Sequence, residues 1–349
     1  MESPCSTRRM RGLPGVLCKP VARSKRMKRD DDRLDERAVS MLSGRMPRAR
    51  PPHPIPYQGS KRLLAPRILA HVTAPVDTLI EPFAGSAAVS LAAALAGTAR
   101  RFILGDSLDP LIGIWHLILT DPRRLADEYE ALWRGQLPEP RGFYDCVRAD
   151  FNSDRSPSKL LYLLARCVKN AVRFNPKGEF NQSPDNRRLG MRPERMQREI
   201  LGASRLLSKR ARAVADDYEV LLAAATPRDL VYMDPPYQGT SSGPDRRYAE
   251  QLDRERFIIA LDRLNARSVP FIVSFDGRCG DKQYGPELPR SLGLYRIELE
   301  AGVSSQGTLA GRREITVESL YLSPSLRPDC IERKEQLTLR ISEGLAAHA

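Results

Sequence analysis

The chain has 349 residues, a formal charge of +13 at pH 7 and 41% hydrophobic residues. This apolar content is sufficient for a packed core and excludes a fully disordered chain. No run of 18 or more apolar residues occurs and no secretory signal is visible, which argues against a transmembrane helix and against export. The six cysteines show no CxxC spacing and the four histidines form no HExxH motif, so we expect reduced, mostly buried thiols and no metal site.

The first predicted elements in chain order are those of an α/β protein. A helix kinked at Pro66 is predicted over 61–72, a buried strand over 77–81, a small-residue loop over 83–86 and an alanine-rich helix over 87–96. A second strand over 101–105 and helices over 109–119 and 121–133 follow. The alternation of strands and helices predicts a doubly wound, Rossmann-like sheet.

The middle of the chain has a different pattern. Helices are predicted over 143–151 and 158–172, then a long polar loop over 174–193 and a basic helix over 193–209. A structureless stretch of about twenty residues inside a compact domain tends to be functional. Strands over 230–233 and 270–275 with a helix over 253–266 restore the α/β pattern, and strands over 295–299 and 315–322 are expected to form an antiparallel pair at one sheet edge.

Positive charge is concentrated in two stretches. Residues 1–50 carry 14 basic and 6 acidic side chains, and residues 166–213 carry 13 basic and 4 acidic ones, so the rest of the chain is mildly acidic. We therefore divide the chain into a basic disordered arm (1–50), an α/β domain (51–134 and 213–324), a basic helical insertion (135–212) and a polar C-terminal tail (325–349). The arm is either a nonspecific phosphate-binding segment or a solvated tail.

The strongest local signal is the sequence Asp234-Pro235-Pro236-Tyr237, directly after an apolar strand. Two prolines fix the backbone and leave carbonyl oxygens without competing N–H donors. A carboxylate, a fixed carbonyl and an aromatic ring suit a planar base with an exocyclic amino group, because the oxygens accept its N–H bonds and the ring stacks on its face. The alternative is a strand-ending turn with a buried tyrosine.

Three weaker motifs accompany it. The loop that follows Glu81 places small residues, Gly85 among them, between a strand and a helix, where backbone amides can approach a ligand. Asp106 ends the second strand and can accept hydrogen bonds from ribose hydroxyls, or it caps the next helix. A turn that contains Tyr57 and Lys61 could hold an amino-acid carboxylate.

Together these motifs resemble the Dam-like, alpha-group DNA adenine-N6 methyltransferases. The shared order is YxGxK at 57–61, EPFAGSAAV at 81–89, an acidic end to the second strand, a basic middle with an NxxGxFN-like segment at 175–181, and DPPY at 234–237. A closing loop at 304–313 and a last strand follow, so the resemblance covers roughly 54–323. Ala87 departs from the family's FxGxG pattern, which more often has a second glycine there.

The resemblance implies a site-specific enzyme that transfers a methyl group from S-adenosylmethionine to the N6 amino group of an adenine flipped out of duplex DNA, without a metal. The implied catalytic residues are Asp234, Pro235, Pro236 and Tyr237. The implied cofactor-binding residues are Tyr57, Lys61, Glu81, Phe83, Gly85, Asp106 and Asp234. In the insertion, which would be the target-recognition region, the implied DNA-binding residues are Lys169, Arg173, Asn175, Lys177, Arg187, Arg188 and Arg192, although each could also be a solvated surface residue.

Other functions remain compatible with the residues. DPPY-type acceptors also suit N4-cytosine methylation or an RNA target, and a noncatalytic DNA-binding protein with a degenerate cofactor pocket is an alternative from a different class. The expected partners are double-stranded DNA and, in a restriction–modification system, a cognate endonuclease, with the chain a monomer or weak dimer. The expected location is the bacterial cytoplasm, at the nucleoid.

Overall fold

A computed structural model describes residues 50–236, 252–279, 282–283, 285–303 and 315–326. The arm at 1–49, Tyr237, the closing loop at 304–313 and nearly all of the C-terminal tail lie outside these ranges, so the predictions made for them stay predictions. Within the described residues, no helix is long and apolar enough to cross a membrane. The two cysteines whose surroundings are described differ, because Cys146 is exposed and Cys167 is buried.

The described part of the chain forms one mixed sheet flanked by helices. The strands are β1 (Val76–Glu81), β2 (Ala99–Asp106), β3 (Ala211–Ala215), β4 (Leu230–Met233), β5 (Phe271–Cys279), β6 (Lys282–Gln283), β7 (Tyr295–Val303) and β8 (Ile315–Leu322). The α-helices are α1 (Ala65–Leu69), α2 (Ala88–Ala96), α3 (Asp109–Thr120), α4 (Pro122–Gly135), α5 (Pro140–Asp154), α6 (Pro157–Arg166), α7 (Pro193–Leu207), α8 (Tyr218–Ala224) and α9 (Arg254–Ala266). The prediction of an α/β fold with a Rossmann-like sheet is confirmed.

The strand order is β3-β2-β1-β4-β5-β8-β7, with β6 paired to β5. Neighbouring strands from β3 to β5 are parallel, whereas β8 is antiparallel to both β5 and β7. The predicted antiparallel pair at one edge is therefore confirmed. The chain order reverses between β1 and β4, and doubly wound sheets bind ligands at the carboxyl ends of the strands beside such a reversal.

Apolar side chains pack on both faces of the sheet. Leu79, Tyr232 and Ile272 belong to a core shared with helices α2 to α7, while Ile80 and Met233 belong to a second core with α8 and α9. Successive residues of a strand point to opposite faces, which explains why β1 and β4 read as unbroken apolar runs.

Several helix starts follow from their sequences. Asp121 and Asp253 accept hydrogen bonds from backbone N–H groups of the first turns of α4 and α9. Gly97 ends the alanine-rich helix α2 with a φ of +74°, a conformation that suits glycine.

The predicted helix over 158–172 is too long. Helix α6 ends at Arg166, because Cys167 is extended and forms an isolated bridge with Pro184, and Lys169 has a φ of +60°. The loop predicted over 174–193 is not structureless either: Phe174 pairs with Phe180 in a second bridge. This stretch is therefore packed and folded back on α6.

The sequence reading missed β3 and α8, and it made α1 too long, since residues 61–63 form a 3-10 turn before α1. The residues of strand β3 are half-buried at most, and its sequence ARAVA contains no long apolar run that would indicate a strand. The predicted domain boundary at 212/213 falls inside this strand. Helices α5, α6 and α7 of the predicted insertion share their core with the sheet, through residues such as Phe151, Leu161 and Ile200, and their assignment to a separate target-recognition subdomain stays a prediction.

Candidate active site

A cavity of about 290 Å³ opens at the carboxyl ends of β1, β2 and β4. It lies at the reversal in strand order, where the fold predicts a ligand site. Its lining includes all seven residues predicted to bind a cofactor: Tyr57, Lys61, Glu81, Phe83, Gly85, Asp106 and Asp234. The structure thus brings together residues that are up to 177 positions apart in the chain.

The loop after β1 exposes backbone at the cavity wall. Gly85 has a φ of +48°, and a Cβ atom there would lie 3.3 Å from the Tyr57 ring, so the position favours glycine on two grounds. The Gly85 carbonyl accepts a hydrogen bond from Trp115 Nε1 at 3.0 Å, and its N–H donates to Asp106 Oδ2 at 3.2 Å. These contacts fix the loop against β2 and α3.

Ala87, the departure from the family pattern, is the residue before α2. It has a φ of +44° and is fully buried. A left-handed conformation costs a non-glycine residue about 1–2 kcal/mol. The backbone thus keeps the glycine-like conformation although the side chain is alanine, and Ala87 is absent from the cavity lining.

Two acids at strand ends have raised pKa values. Burial raises the pKa of Glu81 to about 8, opposed by hydrogen bonds from the Ser90 N–H and hydroxyl, while the charge of Asp234 adds to the rise. Burial likewise raises the pKa of Asp106 to about 6, opposed by hydrogen bonds from the Leu108 and Gly85 N–H groups. At neutral pH Glu81 is therefore mainly protonated and Asp106 mainly ionised.

Asp234, the acid of DPPY, lies directly after β4 and is held by a buried cation. Lys61 Nζ is 2.9 Å from Asp234 Oδ1 and 3.4 Å from Glu318 Oε2. Burial alone would lower the pKa of Lys61, but the charges and hydrogen bonds of these two carboxylates outweigh burial and raise the pKa above its ordinary range. Lys61 is therefore a permanent cation beside Asp234. Pro235 and Pro236 also line the cavity.

Sequence reading missed several residues that the fold places at the site. Asp217 and Tyr218 line the cavity just beyond β3, and Tyr218 lies against Phe83 with ring centroids 5.3 Å apart. Arg256 on α9 also lines it, with Nε 3.1 Å from Glu219 Oε1. The acidic pair at 216–217 was the available signal, since it ends a short strand as Asp106 does, but that strand itself went unrecognised.

The predicted DNA-binding residues are divided between two places. Arg188 and Arg192 line a second cavity of about 640 Å³, with Arg166, Arg195 and Arg198. Asp185 accepts from the Arg187 N–H and is paired with the Arg188 guanidinium at 2.6 Å, and these contacts lower its pKa to about 2. Arg187 is exposed beside it.

The other four predicted DNA-binding residues lie in the segment 169–177. Lys169 and Lys177 are exposed and Arg173 is half-buried, whereas Asn175 is used within its own turn. The Asn175 Oδ1 atom accepts from the N–H groups of Lys177 and Glu179, and its Nδ2 donates to the Glu179 carboxylate. Val172 and Phe174 of the same segment line the first cavity and Asn170 lines the second, so one short segment joins the two.

Comparison with known families agrees with this arrangement. The model of a family described as D12 class N6 adenine-specific DNA methyltransferase matches residues 57–300, well over half of the chain. The chain belongs to this family. The predicted resemblance is confirmed, and the acceptor that the family name specifies is adenine, which disfavours the N4-cytosine alternative.

Curated relatives of this methyltransferase include proteins named DNA adenine methylase. It is 25% identical over 224 residues to the retron Ec67 DNA adenine methylase of Escherichia coli, covering 62% of this chain and 75% of the relative. It is 28% identical over 190 residues to a DNA adenine methylase of Serratia marcescens, covering 53% and 67%. A type II methyltransferase of Methanocaldococcus jannaschii is 26% identical over 225 residues, covering 58% and 77%.

Proposed function

We propose that this DNA adenine methyltransferase takes its methyl group from S-adenosylmethionine bound in the first cavity, and that it acts at specific sites in duplex DNA on an adenine flipped into the DPPY motif. The observation that carries the proposal is the Asp234 carboxylate, fixed by Lys61 at the cavity edge beside Pro235. It supplies the hydrogen-bond acceptor that an exocyclic amino group requires at the point where the cofactor residues converge.

The cavity residues fit S-adenosylmethionine chemically. The carboxylate of Asp106 would accept hydrogen bonds from ribose hydroxyls, while Phe83 and Tyr218 would form an aromatic wall for the adenine moiety. Because Gly85 has no Cβ atom, there is room for the ligand beside the Tyr57 ring. Glu81 offers a titratable acid for the methionine part, and Lys61, whose N–H groups face protein oxygens, would attract the methionine carboxylate through its charge. When bound, S-adenosylmethionine supplies an electrophilic methyl group on a sulfonium.

The chain's own groups have two tasks in the reaction. The Asp234 carboxylate and the Pro235 carbonyl accept the two N–H bonds of the target amino group, which favours a pyramidal nitrogen with a free lone pair. Holding that nitrogen in one place contributes the orientation on which transfer depends. Tyr237 is proposed to stack on the flipped base, which lowers the cost of extruding it from the duplex.

DNA would lie along the basic stretch that contains the second cavity. The five arginines that line this cavity outnumber its two acids, Asp185 and Glu194. A positive surface of this kind neutralises backbone phosphates and positions the duplex, whereas base readout depends on fewer contacts. We assign Lys169, Arg173, Lys177, Arg187, Arg188 and Arg192 to this interface, and Asn175 to shaping the turn that carries Lys177.

Transfer from methyl-labelled S-adenosylmethionine tests the proposal. Labelled N6-methyladenine in digested DNA is the expected product, whereas labelled N4-methylcytosine or no label would contradict it. Asp234→Ala should lower the rate at least about a hundredfold, the scale of lost acid–base or positioning catalysis, while cofactor binding is partly retained. Asp145→Ala, which removes a half-exposed surface acid on α5, is the control and should keep full activity. An active Asp234→Ala enzyme would refute the mechanism.

The remaining biological context follows from the same activity. The relatives include a type II methyltransferase, so we propose that this enzyme protects sites from a cognate endonuclease or acts alone, as a monomer or weak dimer at the bacterial nucleoid. Challenging methylated host DNA with restriction enzymes of known sites would distinguish a protective role and would identify the recognition sequence.

A further inference from the structure

Glu318 is an acid at the site that the motifs did not identify. It lies on β8, where it is paired in register with Gly277 on β5 and Leu299 on β7. The side chain is 15% exposed, and its Oε2 atom is 3.4 Å from Lys61 Nζ. Strand β8 is separated from β4 by β5, so this contact joins the antiparallel part of the sheet to the end of the DPPY strand through one lysine.

Three oxygens of the described residues lie within 3.4 Å of the Lys61 ammonium. They are Asp234 Oδ1 at 2.9 Å, Glu318 Oε2 at 3.4 Å and the Gly59 carbonyl at 3.4 Å. An ammonium group has three N–H donors, so the three oxygens together restrain its rotation and position. A lysine with a single partner at this depth would be free to turn about its last bonds.

The acids around Lys61 differ in their charge at pH 7. Lys61 is 6% exposed, and Asp234 is 20% exposed. Glu81, whose pKa is affected by the charge of Asp234, has a pKa of about 8 and is mainly uncharged at pH 7. The Lys61 cation thus lies between two carboxylates, and their mutual repulsion offsets part of the attraction that each has for the cation.

We propose that Glu318 is a positioning residue for methyl transfer. By sharing the Lys61 ammonium it fixes the orientation of the Asp234 carboxylate and also keeps that carboxylate a strong hydrogen-bond acceptor for the target amino group. Without the second carboxylate, Lys61 would lose one of its two acidic partners, bind Asp234 more closely, draw its oxygen away from the substrate and reduce its acceptor strength. The inference rests on the proposed role of Asp234.

Two substitutions separate charge from shape. Glu318→Gln keeps the length of the side chain and an oxygen acceptor but removes the charge, and we expect the methyl-transfer step to slow about tenfold because a charge-assisted contact becomes a neutral one. Glu318→Asp keeps the charge but shortens the side chain, and its rate should lie between those of Glu318→Gln and the unchanged enzyme. Binding of S-adenosylmethionine should stay within about twofold in both.

The experiment is a single-turnover assay with enzyme in excess over DNA, accompanied by cofactor titration and thermal melting of each variant. Glu298→Gln, an acid on β7 that is 39% exposed and paired with Arg278, is the matched control and should keep the full rate. A Glu318→Gln rate within twofold of the unchanged enzyme would overturn the inference. A Glu318→Asp rate no higher than that of Glu318→Gln would also overturn it. So would a loss of rate in Glu318→Gln that is accounted for by weaker cofactor binding or by unfolding at the assay temperature.

Asp234→Ala, assayed alongside, distinguishes the two levels of the argument. If Asp234→Ala is inactive and Glu318→Gln is unaffected, only the role of Glu318 fails. If Asp234→Ala keeps the full rate, the proposed function of the DPPY acid fails and the role of Glu318 fails with it.

Discussion

Glu81 makes the stability of the ligand-free protein depend on pH in a defined way. Its carboxyl is buried and has a pKa of about 8, against an ordinary value of 4.5. Because the raised pKa means that the native state holds this proton more tightly than the unfolded chain, the contribution to stability is complete below pH 4.5. It is then lost as the pH rises through 8.

The magnitude follows from the two pKa values. Between pH 4.5 and 8 the free energy of unfolding falls by about 1.4 kcal/mol per pH unit from this group alone, which gives about 3 kcal/mol at pH 7 and at most about 5 kcal/mol above pH 8. Glu81→Gln keeps the shape and an acceptor for Ser90 but cannot ionise. Relative to the unchanged protein, the variant should gain about 3 kcal/mol of stability between pH 5 and 8.

Urea unfolding of both proteins at several pH values between 5 and 8.5 measures this difference, since the titrations of all other groups cancel. Asp106→Asn is the control, because the pKa of Asp106 is about 6 and its stability difference should stop growing near that pH. If the curves for Glu81→Gln and the unchanged protein stay parallel from pH 5 to 8, Glu81 is not a protonated buried acid and the reasoning is wrong.

Two further predictions concern the cofactor loop and the DNA interface. Gly85 has a φ of +48° and lies beside the Tyr57 ring, so Gly85→Ala should destabilise the protein by about 1–2 kcal/mol and weaken S-adenosylmethionine binding. The control Ala87→Gly, at a neighbouring positive φ, should do neither. If chemical denaturation and cofactor titration show equal effects for the two variants, the prediction is contradicted. Arg192→Ala should weaken DNA binding similarly on all sequences and lower the slope of log affinity against log salt concentration by about 1. The control Arg228→Ala, before β4 at the opposite end of the strands, should leave the slope unchanged. If Arg192→Ala does not alter the slope, Arg192 does not contact phosphate.

Much of the catalytic half could be predicted because its signals are local. An apolar run such as Leu230–Met233, followed by Asp-Pro-Pro, indicates both a buried strand and its end, and the structure has the strand at those residues. The glycine loop and Asp106 could be recognised in the same way. Because parallel strands align their carboxyl ends, these local signals also predict which residues meet.

The parts that were missed depend on contacts distant in sequence. Strand β3 is defined by its pairing with β2, from Phe102 to Asp106, and not by its own composition. Glu318 sits in an alternating strand where any polar residue fits, and only its contact with Lys61 distinguishes it. The early end of α6 reflects the bridge from Cys167 to Pro184, and no helix-ending glycine or proline marks it.

The strand order also determines when the site can exist during synthesis. The acids at the ends of β1 and β2 are made early, but β4, which must pair with β1 through Leu79 and Leu230, follows about 125 residues after β2. Pairings so distant in sequence are slow steps in folding. A nascent chain that ends before β4 therefore carries the glycine loop and Asp106 without Asp234, and Glu318 arrives later still. With the roles proposed for Asp234 and Glu318, competence for methyl transfer is a property of the finished sheet and is acquired last.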